Sequence, residues 1–149
     1  MLRPQRGICF KGGLQADLID GHFLDNIASL RIKELWLACD SDDALPRFRN
    51  AADKLVGMGF GRHKFKCYAL IGDDMERNEA RLREIYHAGA MPFAMLYRDF
   101  ADVMTEYDAS WRRFARQWQR PPAIEAHMKK GTHYKDFSAN KEVRSGIKP

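Results

Sequence analysis

The stretch Glu34-Leu35-Trp36-Leu37-Ala38-Cys39-Asp40-Ser41-Asp42-Asp43 decides the fold. Residues 35–39 are continuously apolar, too short for a helix and without the polar alternation of a half-exposed strand. A run of that kind predicts a strand buried on both faces, and the acidic cluster after it predicts a polar exit loop. The same unit recurs on either side. Upstream, Ile8-Cys9-Phe10 leads into Lys11-Gly12-Gly13, a strand followed by a glycine turn. Downstream, Phe65–Ile71 is followed by Gly72-Asp73-Asp74, and Met91–Tyr97 by Arg98-Asp99.

Helical periodicity fills the intervals. Asp20 is placed to cap a helix carrying Phe23, Leu24, Ile27, Ala28 and Leu30. Leu45, Phe48, Ala52, Leu55 and Val56 mark a second, ended by Gly57 and Gly59. Asp73 and Glu76 have capping-box spacing ahead of Leu82, Ile85 and Tyr86. Trp111, Phe114, Ala115 and Trp118 form one face of a last helix, which Pro121-Pro122 is expected to stop. Strand and helix alternate four times, so the expected fold is α/β: a parallel sheet of about four strands with right-handed crossovers. Ligands in such sheets sit at the carboxyl ends of the strands. All four ends are polar or glycine-rich here.

The chain has 149 residues, 45% of them apolar and 30% charged, enough for one domain with a core. Residues 1–110 carry 15 Lys/Arg against 17 Asp/Glu, and residues 111–149 carry 10 against 3. The formal charge of +5 therefore belongs to the C-terminal quarter. The expected organisation is an α/β domain over 1–120 and a basic tail over 121–149. Lysines and arginines such as Lys129, Lys130, Lys135, Lys141 and Arg144 make nucleic acid one conceivable partner of that tail, and solvation its simpler role. No apolar run is long enough to span a membrane. No signal-peptide core precedes Lys11, so a cytoplasmic location is expected.

Three cysteines (Cys9, Cys39, Cys67) lie on expected strands, where a thiol acts as a small apolar group. Neither they nor the five histidines have metal-knuckle spacing, and no metal is assigned. Met91, Met95, Trp36, Trp111 and Trp118 read as packing residues.

Phe10-Lys11-Gly12-Gly13-Leu14, Leu37-Ala38-Cys39-Asp40, Cys67–Gly72 and Pro92–Asp99, in that order, carry a resemblance over roughly residues 7–120. The set resembles strands three to six of the partial (βα)6 barrel of radical S-adenosylmethionine proteins, in a branch common in bacteria and phages. The resemblance implies the C-terminal part of an iron–sulfur enzyme that cleaves S-adenosylmethionine reductively. Its cofactors in a complete member are S-adenosylmethionine and a four-iron, four-sulfur cluster held by a C-x3-C-x2-C loop. That loop is absent from this chain, which is therefore expected to be inactive alone and to hold no cluster. Asp17 also stands where relatives often carry arginine, which reverses a charge.

By the same resemblance Asp40 meets the ribose hydroxyls of S-adenosylmethionine, and Gly72 lies on its adenine side. Arg98 is a candidate fork for a carboxylate or phosphate at the rim. The simpler roles are a loop cap for Asp40, a tight exit turn for Gly72, and for Arg98 a salt bridge to Asp99, Asp73 or Asp74. The implied partners are an N-terminal half-chain carrying the cysteine loop, or a second copy joined through the exposed edge of the first strand. The alternative function is a non-catalytic α/β remnant or accessory module that binds a partner chain.

Overall fold

In the computed structural model, residues 7–99, 101 and 106–131 are described. The elements run β1 (Ile8–Leu14), α1 (Gly21–Ala28), β2 (Ile32–Ala38), α2 (Leu45–Gly57), β3 (Phe65–Ile71), α3 (Met75–His87), β4 (Met91–Leu96), α4 (Ala109–Gln117) and α5 (Pro121–Lys130). The four strands form one sheet in the order β1-β2-β3-β4, and every neighbouring pair is parallel. The α/β expectation holds. The order never reverses, unlike that of a doubly wound sheet. Right-handed crossovers in one direction place the connecting helices on one face.

Burial follows from that arrangement. Along β3, Phe65, Cys67, Ala69 and Ile71 are buried, while Lys66, Tyr68 and Leu70 between them are only half-buried. The buried set joins Leu35, Leu37, Phe48, Leu55, Leu82, Ile85 and Ala94 in one core between sheet and helices. A fully buried side chain of this size contributes about 1.5–3 kcal/mol. On the opposite face Trp36, Tyr68 and Phe93 pack on one another instead. Trp36 and Tyr68 stack at 4.4 Å, and Phe93 meets both edge-on at 5.8 and 5.9 Å.

Each helix begins where its sequence supplies an acceptor or a proline. Asp20 Oδ1 accepts from Phe23 N at 2.8 Å, and Asp108 Oδ1 from Trp111 N at 3.0 Å. At α3 the cap is Asp74, which accepts from Arg77 N at 3.0 Å, and not Asp73. Asp73 is diverted to the side chain of Asn78, 2.8 Å away. Gly89 turns the chain after α3 with φ +102°, and a Cβ there would lie 2.6 Å from Val56 Cγ2.

Five expectations are corrected. Pro121-Pro122 starts a helix, because prolines at N1 and N2 lack only N–H groups that have no intrahelical partner there. Residues 121–130 are thus a packed element with Ile124 and His127 buried, and the tail boundary at 121 falls too early. The expected tail beyond Gly131 lies outside the described residues. β1 continues through Gly12-Gly13 instead of turning there. Gly13 has φ +67°, and a Cβ on it would lie 3.3 Å from the Tyr68 ring, so glycine lets that ring lie over the strand. Cys9 is exposed because β1 is an edge strand, and Met95 is 37% exposed because it points away from the helices.

The two edges of the sheet differ. The outer side of β4 is occupied: Trp118 O accepts from Ala94 N at 3.0 Å, and Gln119 Nε2 donates to Ala94 O at 3.0 Å. Among the described residues nothing pairs with the outer side of β1. No described helix is long and apolar enough to cross a membrane.

Candidate functional site

The carboxyl ends of β2, β3 and β4 surround a cavity of about 390 Å³. Its walls include Asp40, Gly72, Asp73, Arg77, Tyr97 and Tyr107. That volume lies within the roughly 300–1,000 Å³ of small-ligand pockets. The strands bring the polar exit residues together because a parallel sheet puts every carboxyl end on one side.

Asp40 is an exposed rim residue whose Oδ1 accepts from Leu70 N at 3.1 Å. It ties the exit of β2 to β3 instead of capping its own loop. Only one carboxylate oxygen is engaged by this bond. Gly72 has φ +145°, which favours glycine, and a Cβ there would collide with the Tyr107 hydroxyl and lie 2.9 Å from its Cζ. That hydroxyl donates to Tyr97 O at 2.6 Å. The Tyr107 ring therefore covers Gly72, and burial, then the nearby Asp73, raise the phenol's pKa. Arg98 is exposed and, among the described residues, forms none of the salt bridges considered for it.

Beneath the rim lies a network that the sequence did not reveal. Arg81 is buried at 5% exposure; it donates to Asp42 at 3.0 Å, to Asn78 at 2.8 Å and to Leu70 O. Arg77 donates to the same Asp42 at 2.5 Å. These guanidiniums, Arg77 first, hold the Asp42 carboxyl below its ordinary range, although partial burial opposes them. Asp73 is lowered first by the Asp74 backbone N–H and then by Asn78. Asp40, Asp42 and Asp73 against Arg77 and Arg81 leave the cavity with one excess negative charge, which suits a cationic ligand with hydroxyl groups. The only advance signal was the four-residue spacing of Arg77 and Arg81 beside an acidic exit loop.

The sheet face opposite the core carries a second polar group. Glu34 accepts from Trp36 Nε1 at 3.1 Å and pairs with Lys66 at 3.3 Å and Lys11 at 3.7 Å. Its pKa is lowered, first by the indole N–H and then by Lys66, against partial desolvation.

The thiols do not fit an iron–sulfur cluster. Cys39 and Cys67 are buried on the helix side, and burial pushes Cys39 up to about 11 and Cys67 well above its ordinary value. Cluster ligation needs thiolates converging on one point. Among the described residues no three His, Cys, Asp or Glu side chains are placed to share a metal. The expected result of titrating the native chain with an aromatic disulfide is one fast thiol, Cys9, with Cys39 and Cys67 released only on unfolding. Three fast thiols would contradict this packing.

Compared with protein-family models, with curated proteins and with solved structures, the chain finds no match. The resemblance to radical S-adenosylmethionine proteins therefore rests on the strand-end motifs themselves.

Proposed function

We propose that this chain is one wall of a radical S-adenosylmethionine barrel, inactive alone, with the cluster ligands supplied by a separate segment. The observation that supports it is the unreversed parallel sheet with a polar cavity at its carboxyl ends. Closing a barrel pairs the outer edge of β1, unpaired among the described residues, with a preceding strand. In that family the cofactor supplies a 5′-deoxyadenosyl radical when it is cleaved reductively.

The residues of this chain bind and orient. Asp40 accepts from ribose hydroxyls through the oxygen not taken by Leu70 N. Arg98 forks onto the methionyl carboxylate. Tyr107 withdraws from Gly72 to admit the adenine ring. The second reading, an accessory module without chemistry, is favoured by the outer edge of β1, which is unpaired among the described residues and can accept a strand of a partner chain.

Titrating the labelled chain with S-adenosylmethionine and following amide resonances tests the proposal. Shifts are expected at Leu70, Gly72 and Tyr97, with an affinity on the order of millimolar for a half site. Asp40→Asn keeps an acceptor for Leu70 N and is expected to weaken binding by about tenfold, the loss of a charged hydrogen bond. No movement at the rim at saturating ligand would leave the accessory-module reading.

A further inference from the structure

We propose that the amino-terminal floor of the sheet, opposite the rim cavity, docks an acidic peptide segment of a partner protein. Arg31, Lys33 and Lys64 line a depression of about 370 Å³ there, together with Gly7 and Ile32. Several cations elsewhere on the fold have a carboxylate: Lys11 and Lys66 have Glu34, Arg47 has Asp17, and Arg77 and Arg81 have Asp42. Among the described residues no carboxylate lies within ion-pair distance of Arg31, Lys33 or Lys64.

Their backbones are fixed. Arg31 O accepts from Ile8 N at 2.8 Å, and Lys64 O accepts from Leu35 N at 2.8 Å. Three unpaired charges of one sign are thereby mounted on the ends of a rigid sheet. Such a cluster repels itself until an anion neutralises it.

An adjoining groove decides which anion. It shares Arg31, Ile32 and Lys64 with the depression and is lined further by Ile27, Leu30, Met58 and Phe60. Leu30 and Met58 are 41% and 38% exposed. A phosphate backbone has no use for an apolar recess beside its cations. The recess holds about 210 Å³, below the roughly 300–1,000 Å³ that encloses a small organic ligand. It is the size of one or two apolar side chains. Carboxylates flanking a leucine-like side chain match both halves of the surface, as in motif recognition by basic clusters beside a pocket.

The test uses the full chain and a fluorescein-labelled peptide of glutamates around a central leucine, read by anisotropy. Binding is expected to weaken with salt and to disappear when the glutamates are replaced by glutamines. Lys33→Ala and Lys64→Ala are each expected to weaken it about two- to fivefold. Met58→Ser, an exposed site, is expected to lower affinity for the leucine peptide and leave that for a serine-centred peptide unchanged. Lys129→Ala, on α5, should have no effect. The proposal is overturned if the glutamine peptide binds equally well, if nothing binds at low ionic strength, or if single-stranded oligothymidylate binds more tightly than the peptide.

Discussion

A chain ended at Arg120 is expected not to fold, whereas one ended at Gly131 melts cooperatively. α5 packs against α3 through two buried side chains, and His127 Nε2 lies 2.7 Å from Glu79 Oε1. Each of those side chains is 2% exposed. Arg83 also donates to Glu79 at 3.1 Å, so the carboxylate sits between two nitrogen groups. The Trp118 ring meets the imidazole edge-on at 5.2 Å, and Ile124 is fully buried beside them. Losing a buried hydrogen-bond partner costs about 1–3 kcal/mol, and losing the isoleucine about 1.5–3 more. Together these are a large share of the stability of an ordinary domain, about 5–15 kcal/mol.

Thermal melts of the two truncations, with His127→Ala in the full chain, make the comparison. His127→Ala is expected to lower stability by about 1–3 kcal/mol, the cost of a lost buried hydrogen bond. The double variant Glu79→Leu/His127→Leu is expected to lose much less, because matched apolar groups need no partner. A chain ended at Arg120 that melts within a few degrees of the intact protein would show α5 to be dispensable. Removing residues 121–149 to test the basic tail would therefore remove part of the core as well.

The strands were legible because burial leaves a local mark. Phe65–Ile71 forms β3 over the expected residues, since its large apolar side chains admit no other period. β1 was cut short because Gly12-Gly13 carries no side-chain signal, and the Tyr68 ring that passes over Gly13 is supplied by a distant strand. The proline pair misled for a related reason: proline forbids the interior of a helix and suits its first turn equally, and only the packing of Ile124 and His127 chooses between them. At the rim, Asp40 and Gly72 could be found because strand ends are readable from hydropathy. The Arg81–Asp42 pair and the Tyr107 cover over Gly72 bridge 39 and 35 residues, and no local spacing announces them.

The second large effect is expected at Trp118, where the fold seals one edge of its sheet. Trp118 is fully buried, and its carbonyl occupies the outer N–H of Ala94 in β4. Trp118→Ala removes the ring that fixes this carbonyl and should cost about 3–5 kcal/mol. Among the described residues nothing accepts from the buried indole N–H, so Trp118→Phe should cost less than Trp118→Ala, its cost being the cavity left by the smaller ring. The same residue governs assembly. Among the described residues only the β1 edge is open, so two copies can pair edge to edge about a two-fold axis and leave neither β1 edge free. Loosening β4 supplies a second edge, and a sheet open on both sides grows without limit. Sedimentation of the intact chain is accordingly expected to show a monomer–dimer equilibrium, and Trp118→Ala a series of larger species. An intact chain that stays monomeric at high concentration would mean that β1 is covered. In that event the edge is not available to the preceding strand of a barrel either, and the proposed wall loses the surface by which it joins the other half.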